Sequence, residues 1–240
     1  MTLTHLTPAD YVTTQWSGGA TTQLAIAPKG AVYADRDFLW RLSSATVELD
    51  ESDFTPLPAY DRVISTLRGD MVLAHNGGER LTLHPYEIHD FSGADDTHSW
   101  GRCTDFNLML RRGQCRGCVT AHFPHGTETL ALHAGETALL FCGEGSVTLH
   151  AGTETLTLAA HDVSRHIVDS VSWLKPNTRA TKISSAAAKM TAIDAGSARL
   201  STLLKNAPFT RALLGSRPNT KPGAPMQKKL MSVIWMGSKG

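Results

Sequence analysis

Two arginines stand inside strand patterns that carry apolar residues on both faces. The segment FLWRLSSATVELDES, which begins at Phe38, alternates as a β-strand does, yet it carries Arg41 at its centre. A second segment, YDRVISTLRG, places Arg62 on the same face as Ile64. Buried charges are tolerated when they are paired and hydrogen-bonded, and a guanidinium is a planar fork of donors suited to a carboxylate. The pattern therefore indicates a polar pocket for a small anionic or amide-bearing ligand.

Further polar side chains alternate with apolar ones in nearby segments. In TDFNLMLRRG, Asp105 and Asn107 lie opposite an apolar face, and in YEIHDF His89 shares a face with Phe91. The Gly-Gly pair of WSGGATTQL is typical of a turn before the first strand, and a close approach there would bring residues 21–23 to a pocket rim. The alternative for each strand is an ordinary half-exposed sheet whose polar face points to solvent. Several mixed faces in one domain favour the pocket.

The fold class follows from the spacing of short strands. Residues 30–183 contain β-rich runs separated by turn signals every 8–12 residues, which is typical of an all-β sandwich, barrel or jelly roll. AHNGGERL and LHAGTETLTL are hairpin signals. Two stretches, STLRGDMVLAHNGGERLTLHPYEIHDF and LLFCGEGSVTLHAGTETLTLAAHDVSRH, repeat the same order of strands and glycine turns. This repeat indicates two related β units in tandem.

Composition bounds the class of protein. The 240 residues suffice for one domain with a good core or two small fused ones, and 41% hydrophobic with 19% charged residues is typical of a soluble globular protein. No apolar run approaches the ~20 residues of a membrane helix, and the first residues lack the pattern of a secretory signal. The four cysteines are therefore expected to be free thiols in a reducing cytoplasm.

Charge divides the chain in two. The net charge of +1 conceals a basic segment, residues 186–240, with nine Lys and Arg and a single acid, Asp194. We expect a folded domain over residues 1–184 and a basic C-terminal extension over residues 185–240. Within the extension, AAAKMTAIDAGSARLSTLLKNA has helix-like apolar spacing, whereas GSRPNTKPGAP is rich in proline and glycine and is expected to be disordered. The extension is interpreted as an interaction segment, a disordered remnant or an artefact of the reading frame.

Metal and nucleophile motifs are weak or absent in the sequence. HPYEIH offers His84, Glu87 and His89, but the two histidines fall on opposite faces of a continuous strand. CRGCVTAHFPH offers a single Cys-x-x-Cys followed by histidines at a spacing that fits no familiar zinc module. The sequence has no Gly-x-Ser-x-Gly elbow, no phosphate-binding loop and no dinucleotide fingerprint. We expect no metal, no cofactor and no established catalytic residue.

Taken in order, several stretches resemble the HutD/Ves family of bicupin proteins. They are QWSGGATTQLAI, DFLWRLSSATVELDESDFTPLPAYDRVISTLRGDMVL, PYEIHDFSGADDTHSWG and TDFNLMLRRG. The resemblance implies an all-β fold of two cupin-like jelly-roll units, the first over about 15–113 and the second over about 116–184. It also implies an association with histidine utilisation and with small carboxylates such as urocanate or N-formylglutamate. This chain has Gln23 where many members carry a glutamate, and its basic extension has no counterpart in the family.

Residue types and resemblance together define the candidate ligand-binding set. It comprises Trp16, Thr21, Thr22, Gln23, Arg41, Ser43, Arg62, His89, Asp105 and Asn107. In this hypothesis Arg41 and Arg62 neutralise a ligand carboxylate in the first barrel, and Asp105 holds an arginine in place. Ser43 and Asn107 hydrogen-bond neutral atoms of the ligand, with His89 nearby.

Three functions fit these residues. The favoured one is a cytoplasmic ligand-binding regulator or sensor of histidine utilisation. The second is a cupin isomerase or hydrolase, with or without a metal, that uses His89, Glu87 or Asp105 as acid or base. The third assigns the leading role to the basic extension, which would dock to acidic lipid or nucleic acid; the core itself is expected to bind neither nucleic acid nor membrane. An acidic partner for the extension and a homodimer are also compatible with the sequence.

Overall fold

Nineteen strands account for most of the residues that the structure describes. This computed structural model describes residues 2–132, 136–167, 188–193 and 229–237. The first eleven strands are β1 (Thr2–Leu6), β2 (Val12–Trp16), β3 (Gly19–Ala27), β4 (Trp40–Val47), β5 (Glu51–Asp53), β6 (Tyr60–Arg68), β7 (Met71–His75), β8 (Leu81–Leu83), β9 (His89–Ser92), β10 (Thr97–Trp100) and β11 (Cys103–Arg111). The remaining strands are β12 (Cys115–His122), β13 (Glu128–Leu132), β14 (Glu136–Glu144), β15 (Ser146–Ala151), β16 (Glu154–Ala159), β17 (Val163–Ile167), β18 (Ala188–Ile193) and β19 (Lys229–Gly237). Short 3-10 helices occupy Pro8–Asp10 and Tyr33–Asp35.

The strands form four sheets that assemble as two barrels. In the first barrel, a six-stranded sheet of order β2-β3-β4-β11-β6-β9 faces a four-stranded sheet of order β5-β10-β7-β8. In the second, a five-stranded sheet of order β1-β17-β14-β19-β12 faces a four-stranded sheet of order β13-β18-β15-β16. All the paired strands are antiparallel. The predicted all-β bicupin fold is confirmed.

The largest core lies between the two barrels. One face of the six-stranded sheet, which includes Trp40, Leu42 and Phe106, packs against Phe141 and Met231 of the five-stranded sheet. The opposite face of the six-stranded sheet points into the first barrel. Burial of both faces explains why the segment around Arg41 is apolar on two sides, as is typical of strands covered on both faces.

The second barrel needs strands from both ends of the described chain. Strand β1 pairs with β17, and β18 lies between β13 and β15. Strand β19 lies between β14 and β12, with Leu230, Met231 and Val233 buried. The second unit is therefore not confined to residues 116–184. Residues 188–193 and 229–237 are strands of this barrel rather than parts of a separate helical or disordered extension, because they pair with β13, β15, β14 and β12 in its sheets. The rest of the predicted extension, including the expected disordered segment, lies outside the described residues.

A tight hairpin joins β2 and β3 at the edge of the six-stranded sheet. The sequence predicted only a turn there, but strands flank it on both sides. Gly19 has φ +140°, and a Cβ added to it would lie 2.0 Å from the carbonyl oxygen of Thr46. Only glycine permits this close approach, so the hairpin holds β3 against β4. Within the described residues, no helix has the length and apolar character needed to span a bilayer.

Candidate anion-binding cavity of the first barrel

A cavity of about 660 Å³ opens between the two sheets of the first barrel. Its walls come from the six-stranded sheet, from strand β5 with the residues that follow it, and from the segment between β3 and β4. The lining residues are Val12, Thr14, Trp16, Thr21, Gln23, Ala31, Val32, Tyr33, Ala34, Arg41, Ser43, Ala45, Val47, Ser52, Asp53, Phe54, Thr55, Arg62, Asp105, Asn107 and Met109. The cavity lies within the size range of pockets that hold drug-sized ligands.

Strand register places the polar residues in rows across the cavity floor. Met109 of β11 is opposite Arg41 of β4 on one side and Arg62 of β6 on the other. Asn107 is likewise opposite Ser43, which in turn is opposite Gln23 of β3. Since neighbouring strands lie roughly 4.8 Å apart, the two arginine Cα atoms are separated by about 10 Å. One row thus carries two cations, and the next row carries neutral amides and a hydroxyl.

Arg41 is held by neutral partners. It is 6% exposed, its Nε donates to Oε1 of Gln23 at 2.9 Å, and its Nη1 donates to Oγ of Ser43 at 3.2 Å. The ring centroid of Tyr33 lies 4.2 Å from its Cζ atom, a cation–π contact. Burial lowers the pKa of Arg41, but an arginine remains charged at neutral pH. The Ser43 hydroxyl therefore orients Arg41 in this structure. The sequence-based hypothesis instead expected this hydroxyl to hydrogen-bond a neutral atom of the ligand.

Arg62 is buried with fewer partners still. It is 6% exposed, and its Nε has no hydrogen-bond partner. Its Cζ atom lies 4.8 Å from the ring centroid of Phe54 and 5.0 Å from that of Phe91. Burial lowers the pKa of Arg62 to about 10, which still leaves it cationic at neutral pH. Two aromatic faces thus flank a guanidinium whose hydrogen-bonding capacity is incompletely used.

Asp105 is the buried carboxyl group of the cavity. Its Oδ1 accepts a hydrogen bond from the Ala45 N–H at 2.7 Å, and no ion pair within 4.0 Å joins it to Arg41 or Arg62 in the described part of the chain. Burial raises the pKa of Asp105 to about 6, against the opposing effects of the Ala45 hydrogen bond and the two arginine charges. Asp105 therefore acts on the arginines through space, and does not hold either of them by direct contact as the sequence hypothesis expected.

The arrangement suits a negatively charged guest. The two buried guanidinium groups lack a contacting carboxylate within the described residues, and Oδ1 of Asn107 is buried without a hydrogen-bond partner. Uncompensated buried charge and orphaned polar atoms are costly in a folded protein. A ligand carboxylate would supply acceptors to the arginines, and a ligand N–H or O–H group would satisfy Asn107.

Most of the predicted site residues meet in this cavity. Those that line it are Trp16, Thr21, Gln23, Arg41, Ser43, Arg62, Asp105 and Asn107. Thr22 does not, because alternation places it on the opposite face of β3, where its hydroxyl contacts that of Thr13 at 3.0 Å. His89 does not line it either. Its strand, β9, is the far edge of the six-stranded sheet, and its Nε2 lies 2.9 Å from Nε2 of His75.

The metal-binding alternatives do not assemble in the structure. Nδ1 of His84 contacts Oδ2 of Asp70 at 3.1 Å, whereas Nε2 of His89 contacts Nε2 of His75. In the CRGCVTAHFPH segment, Cys115 and Cys118 lie three residues apart on β12, so alternation directs their side chains to opposite faces of that strand. Among the residues that the structure describes, no three His, Cys, Asp or Glu side chains form a group able to hold a metal ion.

Several lining residues escaped the sequence analysis. Tyr33 and Val32 belong to the segment between β3 and β4, Phe54 follows β5, and Met109 lies between the arginines. Alternation in the sequence did place Met109 on the same face as Asp105 and Asn107. Its apolar side chain, however, did not suggest a binding site. The other three lie in or beside short irregular segments, where alternation gives no orientation.

Comparison with known proteins agrees with this architecture. The HutD family model matches residues 8–190. The chain is 38% identical over 89 residues to the protein Ves of Cronobacter sakazakii, a match that covers 35% of this chain and 49% of Ves, so it spans about half the length of that relative.

Two solved structures share the fold. The first is a conserved protein of unknown function from Pseudomonas aeruginosa, with a TM-score of 0.71, 21% identity and coverage of 98% of this chain and 100% of the other. The second is HutD from Pseudomonas fluorescens in a formate condition, with a TM-score of 0.68, 18% identity and coverage of 99% and 100%. With the family model matching well over half of its residues, the chain belongs to the HutD family.

Proposed function

We propose that this HutD-family protein binds a small carboxylate in the cavity of the first barrel and acts as a regulatory or sensor protein of histidine utilisation. One observation carries the binding proposal: two buried guanidinium groups line an open cavity, and neither contacts a carboxylate among the described residues. Urocanate and N-formylglutamate are the candidate ligands. Each presents a carboxylate for the arginines, together with polar groups for Asn107 and Gln23.

A thermal-shift screen against metabolites of histidine degradation tests the proposal. A ligand that binds only the native state raises the melting temperature by mass action. We expect urocanate or N-formylglutamate to raise it and the matched uncharged amides to leave it unchanged. Titration calorimetry on Arg41→Met then places the site, because this change removes charge-assisted hydrogen bonds without emptying the volume. Equal calorimetric affinity for these ligands in the wild type and in Arg41→Met would contradict the assignment.

A second candidate function is a cupin isomerase or hydrolase that acts on the same carboxylate. It is favoured by Asp105, since a buried carboxyl group with a pKa of about 6 beside a cavity is able to accept a proton near neutral pH. We expect turnover, if this is the function, to appear as new resonances when purified protein is incubated with each metabolite in an NMR tube. Asp105→Asn would then abolish product formation while calorimetric binding persists. Binding without any change of the ligand supports the regulatory proposal instead.

A further inference from the structure

The cavity reaches much farther than the two arginines. The row that contains Asn107 and Ser43 continues through Gln23 to Val12 on the edge strand β2. Four strand spacings of roughly 4.8 Å separate β2 from β6, which carries Arg62, so the floor is about 19 Å across. A molecule the size of a glutamate derivative spans about 8 Å, or two Cα–Cα steps. A small carboxylate seated on the arginines would leave the β2 side of the floor uncovered.

The volume leads to the same conclusion. Water occupies about 30 Å³ per molecule in the liquid, so a cavity of about 660 Å³ has room for roughly 20 waters. Pockets of this size bury most of a drug-sized ligand. The space therefore fits a molecule considerably larger than a single small acid.

Three exposed apolar side chains line the cavity, together with the exposed polar residues Thr14, Asp53 and Thr55. Val12 is 60% exposed, Val32 is 55% exposed and Trp16 is 39% exposed, and all three line the cavity. They lie on β2 and on the segment between β3 and β4, and their exposure places them at the solvent side of the cavity. Exposed apolar patches are found at ligand-binding grooves and at protein interaction surfaces. The inner end, by contrast, carries the buried cations.

We infer that the ligand is an amphipathic carboxylate whose anionic head contacts Arg41 and Arg62 and whose aryl or acyl tail lies on Val12, Trp16 and Val32. This inference rests on the proposed function, because it assigns a ligand class to the same cavity. It extends that function by adding a tail that urocanate and N-formylglutamate lack, so those two acids would occupy only the inner end of the cavity. Charge at one end and apolar surface at the other also set the direction in which the ligand enters, with its head first.

NMR titration of ¹⁵N-labelled full-length protein with three probes tests the inference. The probes are acetate, which has the head alone, 4-phenylbutyrate, which has head and tail, and 4-phenyl-1-butanol, which has the tail without the charge. We expect 4-phenylbutyrate to bind at least about tenfold more tightly than acetate, the gain that burial of roughly 60 Å² of apolar surface produces. The alcohol should bind at least about tenfold more weakly than 4-phenylbutyrate, because it cannot neutralise the arginines.

Substitutions at the exposed side of the cavity separate the binding of the apolar tail from the binding of the anionic head. Val32→Ser and Val12→Ser should each weaken 4-phenylbutyrate about threefold or more, and leave acetate within about twofold. Leu39→Ser is the matched control, because Leu39 is a 39% exposed apolar residue that does not line the cavity. Affinities for acetate and 4-phenylbutyrate within about threefold of each other would overturn the tail assignment and leave the carboxylate proposal standing. Absence of binding by every carboxylate probe would overturn both.

Discussion

The first barrel encloses Arg41 and Arg62 beside a cavity of about 660 Å³, whereas the second barrel is filled by leucine side chains. Leu140, Leu149 and Leu158 are each at most 2% exposed in that second core. A cavity of about 30 Å³ between its sheets has room for a single water molecule. Both barrels present a sandwich of antiparallel sheets, but they differ in the side chains between the sheets, and in the first barrel connecting segments also line the cavity. The second barrel has a closely packed apolar interior, which stabilises it. The first barrel keeps an open polar interior, which lowers its stability.

The largest expected effect is a loss of stability caused by a substitution in the core of the second barrel. Leu149→Ala should lower the free energy of unfolding by about 2–5 kcal/mol, because the deleted atoms leave a void in a closely packed core. Urea unfolding followed by circular dichroism measures the change. Leu49→Ala, at a position 41% exposed, serves as the control and should change stability by less than about 0.5 kcal/mol. A loss below about 1 kcal/mol for Leu149→Ala would contradict the close packing of the second barrel.

The next effect concerns pH and the first barrel. The pKa of Asp105 is about 6 in the folded chain and near 3.9 in an unfolded one. The folded state therefore holds the proton more tightly, and stability from this group is lost as pH rises from about 4 to about 6, by on the order of 3 kcal/mol. Asp105→Asn removes this loss, since its amide oxygen can still accept the Ala45 N–H. The unfolding free energy of Asp105→Asn relative to wild type should be higher at pH 7.5 than at pH 4. A difference that is the same at both values would show that Asp105 does not titrate as described.

Arginine replacement distinguishes a functional charge from a structural one. Arg62→Met should weaken binding of the ligand carboxylate by about 1.5–3 kcal/mol, while the unliganded protein keeps or gains stability, because a buried charge without an ionic partner is removed. Titration calorimetry and urea unfolding give the two quantities. Arg165→Met is the matched control: its Nε is also buried without a partner, but it lies on β17 of the second barrel, outside the cavity. Equal losses of affinity in the two variants would contradict binding of the ligand carboxylate by Arg62 in the first barrel.

The smallest effect tests the neutral partner of Arg41. Gln23→Glu would place a carboxylate where Oε1 now accepts from the Arg41 Nε at 2.9 Å. The new charge should compete with the ligand and weaken its binding by about 1 kcal/mol, roughly fivefold. Calorimetry at two salt concentrations checks the electrostatic origin, because screening reduces a charge effect more than a change in shape. Tighter carboxylate binding by Gln23→Glu would contradict the placement of the ligand against Arg41.

The sequence predicted the fold class and the inward direction of the two arginines. Alternation along a strand has a period of two, so Arg41, Arg62, Asp105 and Asn107 were assigned to common faces by counting alone. The repeated glycine turns predicted two units for the same local reason. Thr22 shows the limit of this prediction. It was included in the candidate ligand-binding set with Thr21 and Gln23, although strict alternation directs its side chain away from the cavity.

The tertiary structure decided the remaining features because they depend on contacts between residues distant in the chain. Strands β1 and β19 reach the second barrel from opposite ends of the chain, which no local pattern foretells. The pairing of His89 with His75, the cation–π contact of Tyr33 with Arg41, and the absence of a direct Asp105–arginine contact are likewise set by packing. Sequence alone determined which side chains share a face of each strand. Only the closure of two sheets around them decided which inward faces fill with leucine and which enclose a charged cavity.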